Sequence, residues 1–109
     1  MALDAVLDTV GLDALPHPWF VTEDSAHSYQ GCMAALEIFA ARMMSNDILA
    51  MEDGVLEDLG LSARYDGGPN RAIAEFFANR PDTFAVATDL CDMFGTNATY
   101  NPNGYLRRL

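Results

Sequence analysis

Apolar residues recur along the chain at two spacings, and the alternation between them predicts the order of elements. Leu3, Val6, Leu7 and Val10 fall at i, i+3, i+4 and i+7, one face of a helix over Ala2 to Val10. Gly11 closes that helix, and Pro16-His17-Pro18 prevents another from starting at once. Trp19-Phe20-Val21-Thr22 is short and rich in β-formers, so it predicts a buried strand ending in Glu23-Asp24-Ser25. From Ala26 to Met44 the spacing is helical again. Cys32, Ala35, Leu36, Phe39, Ala40 and Met43 share a broad apolar stripe, with Glu37 and Arg42 turned outward. Ile48-Leu49-Ala50-Met51 predicts a second short strand, also ending in acids, Glu52-Asp53. Asp66-Gly67-Gly68-Pro69 reads as a turn and helix start, with Ile73, Phe76, Phe77 and Arg80 on one face up to Pro81.

The remainder predicts strands at Thr83 to Ala87, near Asn97 to Tyr100, and at Tyr105 to Leu109. Asn101-Pro102-Asn103-Gly104 lies between the last two as a strong turn signal. Two short apolar strands separated by a helix predict a βαβ crossover in a parallel sheet. The last hairpin would then form its antiparallel edge. The expected fold class is α/β, in one small domain of 109 residues.

Composition narrows the partners. Sixteen acids face six bases, all arginine, for a net charge of −10, and such a surface repels nucleic acid. The acids are scattered and form no acidic tail. No apolar run is long enough to span a membrane. The start, Met1-Ala2-Leu3-Asp4, lacks the pattern of a signal peptide, so a cytoplasmic location is expected. Cys32 and Cys91 have no metal-site or disulfide spacing and read as core residues.

Both predicted parallel strands end in carboxylates, and open α/β sheets bind ligands at the carboxyl ends of their strands. Glu23-Asp24 and Glu52-Asp53 would converge there, and oxygen ligands of this kind select Mg²⁺, Mn²⁺ or Ca²⁺. His27, about one helical turn beyond Asp24, is placed to serve as a base in the same crevice. Plainer readings stand beside these. Asp24 or Ser25 would cap the next helix, Glu52-Asp53 would form a strand-end turn, and His27 would be an exposed first-turn residue. His17, between two prolines, reads as a rigid loop residue. Phe76-Phe77, Met33, Met43 and Met44 read as core or packing surface.

Three segments together resemble a known family. They are Val21-Thr22-Glu23-Asp24-Ser25-Ala26-His27-Ser28-Tyr29, Ile48-Leu49-Ala50-Met51-Glu52-Asp53-Gly54, and Asn101-Pro102-Asn103-Gly104-Tyr105-Leu106-Arg107-Arg108-Leu109. Their order and separation resemble the second half of the cephalosporin hydroxylase and rhamnosyl O-methyltransferase family. The stretch from Gly68-Pro69 to Arg80-Pro81 is similar to the family's helix before its last strands. The resemblance runs from about Trp19 to Leu109, residues 1–18 being a helix and connector.

The resemblance implies a partial Rossmann-like methyltransferase sheet that uses S-adenosylmethionine. It implies Mg²⁺ ligands at Asp24, Glu52 and Asp53, and a general base at His27 for a sugar or natural-product hydroxyl. Many relatives carry an aspartate where this chain has Ala26, which leaves proton abstraction to His27. Nothing among Met1 to Pro18 supplies the glycine-rich turn that would cradle the methyl donor. The expectation is therefore half of a methyltransferase domain, either a truncated product or an oligomer pairing exposed sheet edges through Leu49, Phe39, Ile73 and Phe77. A non-catalytic interaction module is the alternative. An iron hydroxylase would require His17 to join His27 as a ligand.

Overall fold

Four short strands form one mixed sheet: β1 (Phe20–Glu23), β2 (Ile48–Met51), β3 (Phe84–Val86) and β4 (Tyr105–Arg108). The computed structural model describes residues 3–109. Around the sheet lie helices α1 (Leu3–Thr9), α2 (Tyr29–Arg42), α3 (Gly68–Asn79) and α4 (Thr88–Cys91), with short 3₁₀ turns between them. Ala2, placed in the first helix by its spacing, lies outside the described residues. None of the helices among those residues is long and apolar enough to cross a membrane.

The strand order is β1-β2-β4-β3, with β1 parallel to β2 and β4 antiparallel to both neighbours. The expected βαβ unit is present as β1-α2-β2, in a sheet consistent with a partial methyltransferase-like fold. Its antiparallel ending is built differently from the expected hairpin. Residues 97–100 form no strand, and β4 pairs instead with β2 and β3. The reason is local: Asn97 is left-handed (φ 48°), and its backbone N–H is taken by Asp92, its side chain by Asn103. Consequently β4 is an interior strand, and β3 occupies the edge.

Side-chain alternation gives the sheet one well-covered face. Val21, Leu49, Leu106 and Val86 stand side by side in register across the four strands and join the hydrophobic core. Cys32, Leu36 and Phe39 of α2 and Ala72, Ile73 and Phe76 of α3 complete it. Each large side chain buried here contributes about 1.5–3 kcal/mol. This packing overturns the expected shared surface: Leu49, Phe39 and Ile73 are buried in the chain's own core, and Phe77 packs against it. On the other face, Phe20 at the free edge of β1 is 62% exposed.

Helix α2 starts three residues later than its apolar spacing predicts. His27 takes a left-handed backbone (φ 60°), and Ser28 caps the helix by accepting the Gly31 N–H at 3.1 Å. Neither Asp24 nor Ser25 is the cap. Helix α1 is held chiefly by charge: Arg42 reaches Asp4 and Asp8 at 2.9 Å and Asp13 at 3.3 Å. Of its apolar face only Leu7 packs on the core, joined by Leu12, while Val10 is exposed. Both cysteines are free and buried, as their spacing implies. Met43 is in the core and Met44 is exposed.

One charge lies deep inside. Asp47, wholly buried, accepts the Trp19 N–H at 2.7 Å and the Met44 N–H at 2.8 Å, and pairs with His17 Nδ1 at 2.6 Å. The His17 ring stacks on Trp19 at 4.1 Å, so His17 is a structural partner of this carboxylate. Burial pushes the Asp47 pKa up, but the two backbone donors and His17 outweigh it and hold the group below its usual range. A depressed folded pKa stabilises the fold fully above the ordinary carboxylate range. That contribution is lost as pH falls toward the folded value. Replacing Asp47 by Ala strands two buried donors and should cost about 3 kcal/mol or more. Thermal melts from pH 7 to pH 3 should show the variant less stable at neutrality and the gap narrowing in acid.

Candidate metal centre

The two parallel strands deliver their acids to the same end of the sheet. In register, Glu23 lies beside Met51, and the ladder continues one step further as the Glu52 N–H donates to the Glu23 carbonyl at 3.0 Å. Glu23 itself points inward and is buried. It accepts the Ser25 N–H at 3.1 Å, the Ser25 hydroxyl, and the Cys32 thiol at 3.7 Å. Burial, followed by the neighbouring Glu23 charge, pushes the Cys32 thiol up to about 12, so it remains a protonated donor. With Glu23 turned in, alternation turns Asp24 outward.

Two left-handed residues then aim the remaining groups. His27 (φ 60°) brings its ring back over the strand ends, and Asp53 (φ 63°, ψ 29°) turns its carboxylate toward it. His27 Nε2 lies 3.1 Å from Asp53 Oδ2 and 3.8 Å from Asp24 Oδ1. Asp24, His27 and Asp53 can each offer one ligand atom, all within 4.8 Å of one another. The other ring nitrogen, Nδ1, is buried without a hydrogen-bond partner, and Tyr65 packs edge-on against the ring at 6.1 Å. Only Nε2 faces the carboxylates.

Of the four residues expected at the site, three therefore meet. Glu52 stands apart, lining an adjacent cleft with Val55, Phe94, Tyr100 and Tyr105. His17 is far off in the chain's fold, committed to Asp47, so the pair of histidines required for an iron hydroxylase is not assembled.

The surrounding loop contains residues that spacing did not single out. The Asp53 N–H donates to Asn101 Oδ1 at 2.8 Å, and Asn70 Nδ2 donates to the Gly54 carbonyl at 3.0 Å. Their only signals in the sequence are turn-formers: Asn101 opens Asn-Pro-Asn-Gly, and Asn70 follows Gly-Gly-Pro.

A model of the rhamnosyl O-methyltransferase/CmcI family matches residues 5–109. The chain belongs to this family. The match begins within α1, ahead of the segment from Trp19 that carries the motif resemblance, and includes all three residues of the cluster. No curated protein and no solved structure matches the chain. Membership makes it methyltransferase-like, in a family of O-methyltransferases, whose chemistry implies S-adenosylmethionine.

Each implied group can be compared with the residues present. Two carboxylates within a few ångströms of each other form an oxygen donor pair that suits a divalent cation, with the His27 imidazole nitrogen beside them. The methyl donor fares differently. Among the described residues, 3–18 form α1 and a 3₁₀ turn, with no strand-turn-helix to cradle a nucleotide. These residues do not fit S-adenosylmethionine.

The turn behind Asp53 is packed to its limit. A Cβ on Gly104 would stand 2.6 Å from the Met51 carbonyl oxygen and 3.1 Å from that of Asn101. Gly104→Ala should therefore destabilise the protein by about 1–3 kcal/mol. Denaturant melts of the two proteins would measure it, with unchanged stability contradicting the close approach.

Proposed function

We propose that this chain forms the metal-binding and proton-accepting part of a Mg²⁺-dependent O-methyltransferase acting on a sugar or natural-product hydroxyl. The observation that carries the proposal is the meeting of Asp24, His27 and Asp53 at the strand ends, with His27 Nε2 facing both carboxylates. Asp24 and Asp53 would hold the cation, and Glu52, which lines the neighbouring cleft, would join them only by turning toward Asp53. Bound Mg²⁺ supplies Lewis acidity that lowers the pKa of a coordinated hydroxyl. His27 Nε2 accepts the hydroxyl proton, since Nδ1 is enclosed. The open cleft of Glu52, Tyr100 and Tyr105 gives the rest of the substrate a place beside the cation. Two buried, unpaired cysteines suit a reducing, cytoplasmic setting.

Calorimetric titration of Mg²⁺, then of Mn²⁺, into wild type and Asp53→Ala tests this assignment. Wild type should bind one equivalent saturably, and the variant should lose at least about tenfold in affinity. Folded wild-type protein that shows no saturable uptake of either ion would remove the basis for an active site here.

The free edge of β1 supports a second reading, a non-catalytic module that pairs with a partner or a second copy. Phe20 is exposed there, beside an apolar cleft lined by Leu3, Thr22, Ala34 and Phe39. Sedimentation at micromolar concentration should then show a dimer that Phe20→Lys dissociates. A monomer at all concentrations would exclude self-pairing.

A further inference from the structure

The Asn-Pro-Asn-Gly turn carries a strong sequence signal, yet it joins no hairpin, and the proposed reaction gives it no task. Its first residue is a polar side chain only 3% exposed. Asn101 Oδ1 accepts the Asp53 N–H at 2.8 Å, and its Nδ2 donates to the Tyr105 hydroxyl oxygen at 3.2 Å. Both ends of the amide are thus engaged, and the Asp53 N–H, which can only donate, fixes the oxygen end toward Asp53. The turn is locked onto β2 through Gly104, whose N–H donates to the Asn101 carbonyl at 2.9 Å and whose carbonyl accepts the Met51 N–H at 2.8 Å.

The other side of Asp53 is clamped as well. Asn70 Nδ2 donates to the Gly54 carbonyl at 3.0 Å and to Glu57 at 2.7 Å, while the Val55 N–H donates to the Tyr100 carbonyl at 3.0 Å. Beyond Glu52, whose N–H makes the last ladder bond to the Glu23 carbonyl, the chain leaves the sheet and loses its ladder partners. The two asparagines replace those partners at the residue that must stay left-handed. A non-glycine residue in that conformation costs roughly 1 kcal/mol or more and persists only when its surroundings hold it. Released from this hold, Asp53 would relax toward ordinary backbone angles and swing its carboxylate away from His27 and Asp24.

We infer that Asn101, supported by Asn70, is the positioning residue that holds the Asp53 carboxylate in register with Asp24 and His27 for the cation. This rests on the assignment of Asp53 as a metal ligand. Asn101 touches neither cation nor substrate; it acts through the backbone of Asp53.

The test measures Mn²⁺ affinity by calorimetry for wild type, Asn101→Ala, Asn101→Asp, Asn70→Ala and, as control, Asn103→Gly. Hydrogen exchange of the Asp53 amide is followed in the metal-free proteins. Asn101→Ala should bind Mn²⁺ about 10- to 100-fold more weakly and lose protection at the Asp53 amide. Asn101→Asp keeps an acceptor for that amide and should restore both to near wild type. Asn103, which holds only Asn97, should change neither. Should Asn101→Ala fail to fold, Asn70→Ala, which removes the outer clamp alone, should still weaken the ion. Equal affinity and equal amide protection across the set would overturn the inference while leaving the metal centre intact. Absence of Mn²⁺ binding by wild type would instead overturn the metal assignment, and with it the role of Asn101 toward a cation. The exchange data would then show only whether it holds the loop.

Discussion

Asp47 brings a negative charge into a wholly buried position, and three groups, from the entry to β1 and the exit of α2, receive it. Its carboxylate binds the backbone at the entry to β1 through Trp19 and at the exit of α2 through Met44, and pairs with His17. Its own carbonyl accepts the Arg108 N–H at 2.8 Å, which ties in the end of β4. A buried charge left without such partners costs several kcal/mol, so these contacts form together or not at all. The relative placement of β1, α2 and β4 is therefore fixed at the end of the sheet opposite to the Asp24, His27 and Asp53 cluster. Core packing fills the space between; Asp47 sets the frame.

At the far end the same sheet tolerates features that oppose stability. Asp24 and Asp53 stand near one another, His27 and Asp53 adopt left-handed backbones, and the buried His27 Nδ1 has no partner. Each is unfavourable in isolation, and their concentration at one spot is what a ligand site looks like. Anchoring at one end of short parallel strands permits strain at the other. The strands are only four residues long, so the anchor and the site are separated by a single stretch of core, Leu49 and Met51 in β2.

Much of this arrangement was legible in the order of the residues. The β1-α2-β2 unit follows from apolar spacing, and the meeting of Asp24, His27 and Asp53 follows from acids placed after both strands. What spacing could not show was the direction of single residues. Glu23 and Asp24 are neighbours, but one is consumed by Ser25 and Cys32 inside the fold while the other reaches the site. Glu52 and Asp53 divide in the same way because Asp53 alone turns left-handed. The strand expected at Asn97 to Tyr100 failed for a related reason. Its turn chemistry was recognised, but the partners of Asn97 and Asn101 lie at Asp92 and Asp53, contacts that only the folded chain reveals. The apolar residues expected on a shared surface were instead claimed by α2 and α3.

The sheet order has a consequence for how the molecule comes together. β2 and β3 are not hydrogen-bonded to each other; each is joined to β4, which follows both in the chain. The β1-α2-β2 unit can assemble from neighbouring residues, whereas β3 joins it only through β4, which pairs with both. Pairing of such a distant segment closes long loops before any contact rewards them, and chains of this kind assemble slowly. Until β4 pairs, β2 presents a bare strand edge, and the Asn101 turn has not reached the Asp53 loop. The Asp53 loop thus gains its contact with Asn101 only once β4 is seated beside β2.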